Sequence, residues 1–285
     1  MNRNAKLLAL LLLLLCFWAG AVPASAHPEQ APGVIRFGVF PYKSPKPMVE
    51  LFAPIATRLE HRLGRKVQLV SAPDAESFME RSRNREYDLA LPCVTCFFKM
   101  QPAGYRVIAR GTPNFQGGVL VRKESAIQNI LQLRGKRVAA IGEHSYGGYL
   151  FCKAQLEEQG INPDKEVDFQ FLGKQDTVIM GVANGKYDAG VVRADALESP
   201  GFAAIRDQLR VVSRSIEIPQ FPFVVRQGMD EKTVAAIREV LTALSPDVAA
   251  DAEILHALQV KKIVDADDDD YDRIHELTKN LPYFK

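Results

Sequence analysis

The chain is poor in the residues that mark several familiar activities. It has four cysteines, five histidines and one tryptophan in 285 residues. No Gly-x-Ser-x-Gly elbow, His-Glu-x-x-His helix or phosphate-cradling nucleotide loop occurs, so the common hydrolase, zinc-protease and nucleotidase signatures are absent. Beyond the N-terminal segment there is no second long apolar run, which excludes a membrane-embedded mature chain. Nor is there an excess of charge. Removing residues 1–26 takes away two basic residues, Arg3 and Lys6, and leaves 34 basic against 34 acidic. A chain with no net charge is not an electrostatic nucleic-acid binder. The acidic run Asp265–Asp270 lacks the glycine and distal glutamate of a calcium loop and reads as a solvated helix start before Tyr271.

What is there begins with an export signal. Arg3 and Lys6 form a positive start, Leu7 to Trp18 is nearly unbroken apolar sequence, and Ala24-Ser25-Ala26 is a small-x-small cleavage site. The expectation is a signal peptide over residues 1–26, a periplasmic destination and a mature chain of about 259 residues. Cys16 leaves with the signal. Cys93, Cys96 and Cys152 remain in an oxidising compartment, and their odd number leaves at least one thiol free or paired between chains.

Residues 27–33 read as a leader. Val34–Phe40 is an apolar first strand in which Gly38 suggests a close backbone approach. After the Pro-rich loop Pro41–Pro47, Leu51, Ile55, Leu59 and Leu63 recur about one turn apart, predicting a helix over 48–63 that Gly64 ends. A strand at 66–70, a helix at 74–83 and a strand at 88–91 follow. This βαβ alternation predicts a mostly parallel sheet flanked by helices. Strands at 106–112 and 118–122 are joined by Pro113–Gly117. A second series then repeats the alternation: strand 137–141, Gly-rich turn 142–148, helix 149–159, strand 167–172, helix 177–184 and strands 187–192 and 209–214. The segment Ile218–Val225 reads as a return crossing, and Asp230 starts a helix to Leu244.

Two stretches share one grammar. Asn84 to Leu91 and Asn184 to Val191 each run from a helix end through Tyr-Asp into a buried strand. The repeat predicts two similar lobes, with lobe one at 34–115 and 222–285 and lobe two at 116–221. Ligand then belongs between them, at the C-terminal ends of the strands.

The most conspicuous stretch is Tyr87 to Lys99, a buried strand that runs into Cys93-Val94-Thr95-Cys96. At a strand end this pair is open to four readings: a disulfide or packed thiols, a site for a thiophilic ligand, a thioredoxin-like redox pair, or a weak zinc or copper site. No histidine lies nearby and two cysteines are too few for a closed zinc site, so no metal or other cofactor is expected. Phe97 stands where c-type haem attachment needs histidine. Cys152 could add a third sulfur from the other lobe, though its place within a helix suits simple burial.

Taken in order, several segments resemble the phosphonate-binding (PhnD-like) family of periplasmic solute-binding proteins. They are Phe37–Pro41, Pro54–Leu63, Tyr87–Ala90, Leu133–Ala139, Ser145–Leu150, Val182–Gly190 and Ile218–Pro222. The resemblance implies a two-lobed type II α/β fold, no catalytic activity, and capture of a small oxyanion. It implies delivery to an ABC transporter permease or a membrane sensor kinase by a monomer. It places the anion at Ser145-Tyr146-Gly147-Gly148, where backbone N–H groups and glycines suit a negative charge. In this fold Tyr42 and Lys43 also line the cleft. Three ligand-facing segments depart from the family pattern. Tyr146 and Gly147 replace hydroxyl residues, Gln175 and Asp176 stand where a histidine and an acid are usual, and Pro92–Thr95 replaces a Tyr-Gly-Asn-like stretch. These departures make an alkylphosphonate a doubtful ligand. They suit a neutral oxyacid such as arsenite, which members of the same family bind.

Overall fold

The computed structural model describes residues 33–42 and 45–281. The expected signal peptide, nearly all of the leader, and Lys43 and Ser44 lie outside the described residues.

The chain opens with β1 (Ile35–Val39), α1 (Pro45–Leu63), β2 (Val67–Val70), α2 (Ala75–Arg83) and β3 (Leu89–Leu91). β1 lies between β2 and β3 and runs parallel to both. α1 starts three residues before the periodic stretch, because proline suits the first turn of a helix. It buries Phe52, Ile55 and Leu59, and the Phe52 ring meets Phe37 of β1 edge-on at 5.7 Å. Gly64 ends it with φ at +62°, a left-handed conformation that glycine adopts without a Cβ penalty. After α3 (Val94–Met100), β4 (Tyr105–Thr112) leads out of the first sheet.

The second sheet holds β5 (Gly117–Arg122), β6 (Arg137–Ala140), β7 (Asp168–Phe171), β8 (Ala189–Arg193) and β9 (Leu209–Arg214), in the order β7-β6-β8-β5-β9. Between its strands lie α4 (Phe151–Glu158), α5 (Pro163–Glu166) and α6 (Gln175–Ala183). β10 (Pro222–Arg226) returns to the first sheet. α7 (Glu231–Thr242), α8 (Ala249–Ala257), β11 (Lys262–Asp265) and α9 (Asp272–Thr278) complete it, with strand order β11-β4-β10-β3-β1-β2.

The sheets are mixed rather than mostly parallel. Only the βαβ cores, β2-β1-β3 and β7-β6-β8, are parallel, while β4, β5, β9, β10 and β11 pair antiparallel. β10 and β11 run against the parallel core of the first sheet and β5 against that of the second, while β4 and β9 run in the same direction as the cores. Pro222–Val225 is therefore a sheet strand, not only a crossing.

The Tyr-Asp repeat is structural. Asp88 N–H donates to the Arg36 carbonyl and Asp88 Oδ2 accepts the Arg36 N–H. Asp188 does the same to Arg137, at the same position in the second sheet. Gly38 is bare because Tyr87 covers it: a Cβ there would lie 2.4 Å from the tyrosine ring. The acidic run also does more than start a helix. Asp267 and Asp270 form a reciprocal capping box, and Asp268 accepts from Val107 N–H and Gln101 Nε2.

Candidate ligand-binding cleft

The C-terminal end of β3 carries the Cys-x-x-Cys pair. Cys93 and Cys96 are joined as a disulfide with Cα atoms 5.0 Å apart. Cys93 is the N-cap of α3, its sulfur accepting the Cys96 N–H at 3.1 Å. Val94 and Cys96 point into the core, and Thr95 is buried at 1% exposure. Beside them, past the end of β1, Phe40 packs edge-on against Phe78 at 5.5 Å. Tyr42 follows, its ring 6.0 Å from Phe221 and its hydroxyl made less acidic by burial.

The opposing edge is built after β6. The expected Gly-rich turn is itself helical: Tyr146–Leu150 is a wide π turn that continues directly into α4. Ser145 caps it, Oγ accepting the Gly148 N–H at 3.0 Å. Both glycines are needed for space. A Cβ at Gly148 would lie 2.6 Å from Ile141, and one at Gly147 would lie 3.0 Å from Phe115. The N–H groups of Tyr146 and Gly147, in the first turn, have no acceptor within the helix. Burial raises the Tyr146 hydroxyl to about 12. Gln175 opens α6 and its Oε1 accepts the Arg193 N–H at 3.1 Å, whereas Asp176 is exposed in the same turn.

The two edges face each other and touch. The Thr95 hydroxyl donates to the main-chain carbonyl of His144, and the His144 ring lies 5.3 Å from Phe40. Thr95 and the disulfide are thereby brought against the turn that holds Ser145. Neither Gln175 nor Asp176 takes part in these cross-cleft contacts. Lys43 lies outside the described residues.

Sequence reasoning missed His144 and Phe40. His144 adjoins Ser145 in a turn already singled out, and that adjacency was the available signal. Arg193, the last residue of β8, links the second sheet to the crossings. Its guanidinium lies 4.2 Å from the Phe115 ring, pairs with both oxygens of Asp195, and donates to Gln220 Oε1 at 3.1 Å. Gln220 in turn donates to the Pro113 carbonyl, and its own carbonyl accepts from Tyr271 Oη. Phe115 and Ile218, one in each crossing, exchange backbone hydrogen bonds at 2.9 and 2.7 Å.

Cys152 is fully buried, and burial drives its thiol pKa upward, so it is not offered to the cleft. No group of three or more His, Cys, Asp and Glu side chains placed to hold a metal occurs among the described residues. Two surface hollows of about 400 and 420 Å³ are lined by none of the cleft residues.

Two α/β lobes, joined by two crossings and facing each other across strand C-termini, define a periplasmic binding protein of the type II fold. PhnD1 from Prochlorococcus marinus, solved in complex with methylphosphonate, superimposes with a TM-score of 0.78 at 20% identity, covering 88% of this chain and 99% of that one. The model of the ABC transporter, phosphonate, periplasmic substrate-binding protein family matches residues 37–271, and the chain belongs to that family. The phosphonates-binding periplasmic protein of Escherichia coli K12 is 24% identical over 81% of this chain and 72% of its own length. The phosphate-import protein PhnD of Mycolicibacterium smegmatis is 28% identical over 79% of this chain and 72% of its own. Family members are solute-binding proteins of the periplasm. No helix among the described residues is long and apolar enough to cross a membrane.

Proposed function

We propose that this protein captures a small oxyanion or oxyacid of the phosphate, phosphite or phosphonate kind by closing its lobes. It then delivers the ligand to an ABC transporter permease. Lobe one comprises residues 34–115 and 222–285, and lobe two residues 116–221. The observation that carries the reading is the meeting of the two strand edges at Thr95, Phe40 and His144, beside a glycine-bearing helix start with uncommitted N–H groups. Ser145, Tyr146 and Gly147 from lobe two, with Tyr42, Lys43 and Thr95 from lobe one, are the proposed ligand-facing set. Two crossings supply the hinge.

The disulfide favours an oxygen ligand over a thiophilic one. Both sulfurs are bonded to each other, so an arsenite-like ligand could exchange onto them only after reduction. Burial of the pair, with Cys93 and Cys96 5% and 0% exposed, argues against a thiol oxidoreductase, whose disulfide must be reached by its partner thiols. Calorimetry of the mature protein with phosphate, phosphite, methylphosphonate and arsenite, oxidised and reduced, tests the reading. Binding of a phosphorus oxyanion by the oxidised protein, with a smaller radius of gyration by scattering, is the expected result. Binding of arsenite alone, and only after reduction, would replace it with the thiophilic reading. A membrane sensor kinase as the receiving partner is distinguished by co-purification against the permease.

A further inference from the structure

His144 stands where the two strand edges meet, and its ring is placed by both lobes. Its carbonyl is held by the Thr95 hydroxyl, and Phe40 covers one side of the imidazole at 5.3 Å. Its own turn makes room for it: a Cβ at Gly142 would lie 2.7 Å from His144 Cε1. The ring is thus held between an aromatic side chain and a bare glycine, one residue from the Ser145 cap. Its position is fixed, yet neither ring nitrogen has a hydrogen-bond partner among the described residues.

The surroundings keep the imidazole uncharged. Phe40 and, behind it, Phe78 approach from lobe one. α3 brings Thr95 and the Cys93–Cys96 disulfide, which does not titrate. The turn itself brings Glu143, which is exposed, and Ser145, whose oxygen accepts from Gly148. Burial lowers the imidazole pKa to about 4.

A neutral imidazole carries one N–H and one lone-pair nitrogen. The lone pair needs a hydrogen, and a fully ionised oxyanion offers none. The Arg193 guanidinium does not compensate a second negative charge freely, since it is already paired with both oxygens of Asp195. We infer that His144 selects an oxyacid that still carries an acidic O–H, accepting that hydrogen on its unprotonated ring nitrogen, over an isosteric anion that has none. The inference rests on the oxyanion reading and narrows it to the singly protonated form. A site that presents a lone pair to a ligand hydroxyl disfavours the analogue lacking it, because that analogue sets a second lone pair against the first.

Methylphosphonate and methanesulfonate test this. They share a shape, and at mildly acidic pH both are monoanions, but only the phosphonate keeps an O–H. Calorimetry on the oxidised mature protein should give methylphosphonate at least about tenfold the affinity of methanesulfonate. The preference should fall as pH rises through the second ionisation of the phosphonate. His144→Phe keeps a ring against Phe40 and should abolish the preference, and His144→Gln, which restores an acceptor, should recover part of it. Equal affinity for the two ligands, or a preference that survives in His144→Phe, overturns the inference while leaving oxyanion binding intact. If neither ligand nor phosphate binds, the oxyanion reading itself fails and this inference fails with it.

Discussion

Asp88 is bonded to Arg36 in both directions: its N–H donates to the Arg36 carbonyl at 2.9 Å, and its Oδ2 accepts the Arg36 N–H at 2.9 Å. The other carboxylate oxygen takes Arg226 Nη2 at 2.8 Å, which ties the start of β1 to the end of β10. The carboxylate is nearly buried, so its removal strands a backbone donor and a guanidinium. Asp88→Ala should cost about 2–4 kcal/mol in chemical denaturation. The corresponding Asp188→Ala should cost less, about 1 kcal/mol, because Asp188 is 37% exposed and its arginine contact is 3.9 Å. Equal losses would show that the buried guanidinium pair contributes nothing extra.

Gly38 and Tyr87 make a second pair with opposite expectations for each partner. A Cβ on Gly38 would enter the tyrosine ring at 2.4 Å, and the ring is pinned by stacking on Phe78 at 5.0 Å. Gly38→Ala should therefore destabilise by about 1–3 kcal/mol, the usual cost of overpacking. Tyr87→Phe should be neutral or slightly stabilising, since the buried hydroxyl has no hydrogen-bond partner among the described residues. Thermal unfolding of the two single variants checks both signs.

The cysteines make a counting prediction. In native oxidised protein a thiol reagent should find no reactive group, since Cys93 and Cys96 are bonded and Cys152 is fully buried. Denaturation without reductant should release one thiol per mature chain, that of Cys152. Labelling of the native protein would mean that the disulfide opens or that α4 is loosely packed.

Acid stability should depend on Asp251. Its carboxyl is held below the usual carboxylate range, chiefly by the hydrogen bond from Arg58, which ties α8 to α1. A carboxyl depressed in the folded state stabilises above its unfolded pKa, and that stability is lost as pH falls through the folded value. Asp251→Asn should therefore lower stability near neutrality and flatten its decline on the acid side. A parent-like slope below about pH 4 would remove Asp251 from the account.

The parts legible in the sequence were those whose own pattern reports their burial. β1, β3 and β8 are apolar runs, and the Tyr-Asp grammar announced that two lobes would be built alike. β11 was not legible, because Lys262–Asp265 buries only Ile263 and becomes a strand through its pairing with β4. α8 was missed for a related reason: Ala249–Ala257 has no clear stripe, and it buries Asp251 beside Ile254 and Leu255. In the cleft, residue types pointed to Cys93, Thr95 and Ser145, but spacing along a chain carries no distance across it. The disulfide joins residues only three apart and was one of the readings open to that pair, whereas the meeting of Thr95 and Phe40 with His144 exists only once separate strand ends are set face to face.

The bonded crossings limit how the lobes can move. Phe115 and Ile218 are laddered together, and Gln220 ties Pro113 to the return segment. Two connectors bonded to each other bend as one ribbon, so the proposed closure of the lobes would follow essentially one angle. Under that proposal, occupancy of the cleft would be written into a single geometric variable. A membrane partner touching both lobes would then need only to measure the separation between two points on the outer surface to know whether the protein is loaded.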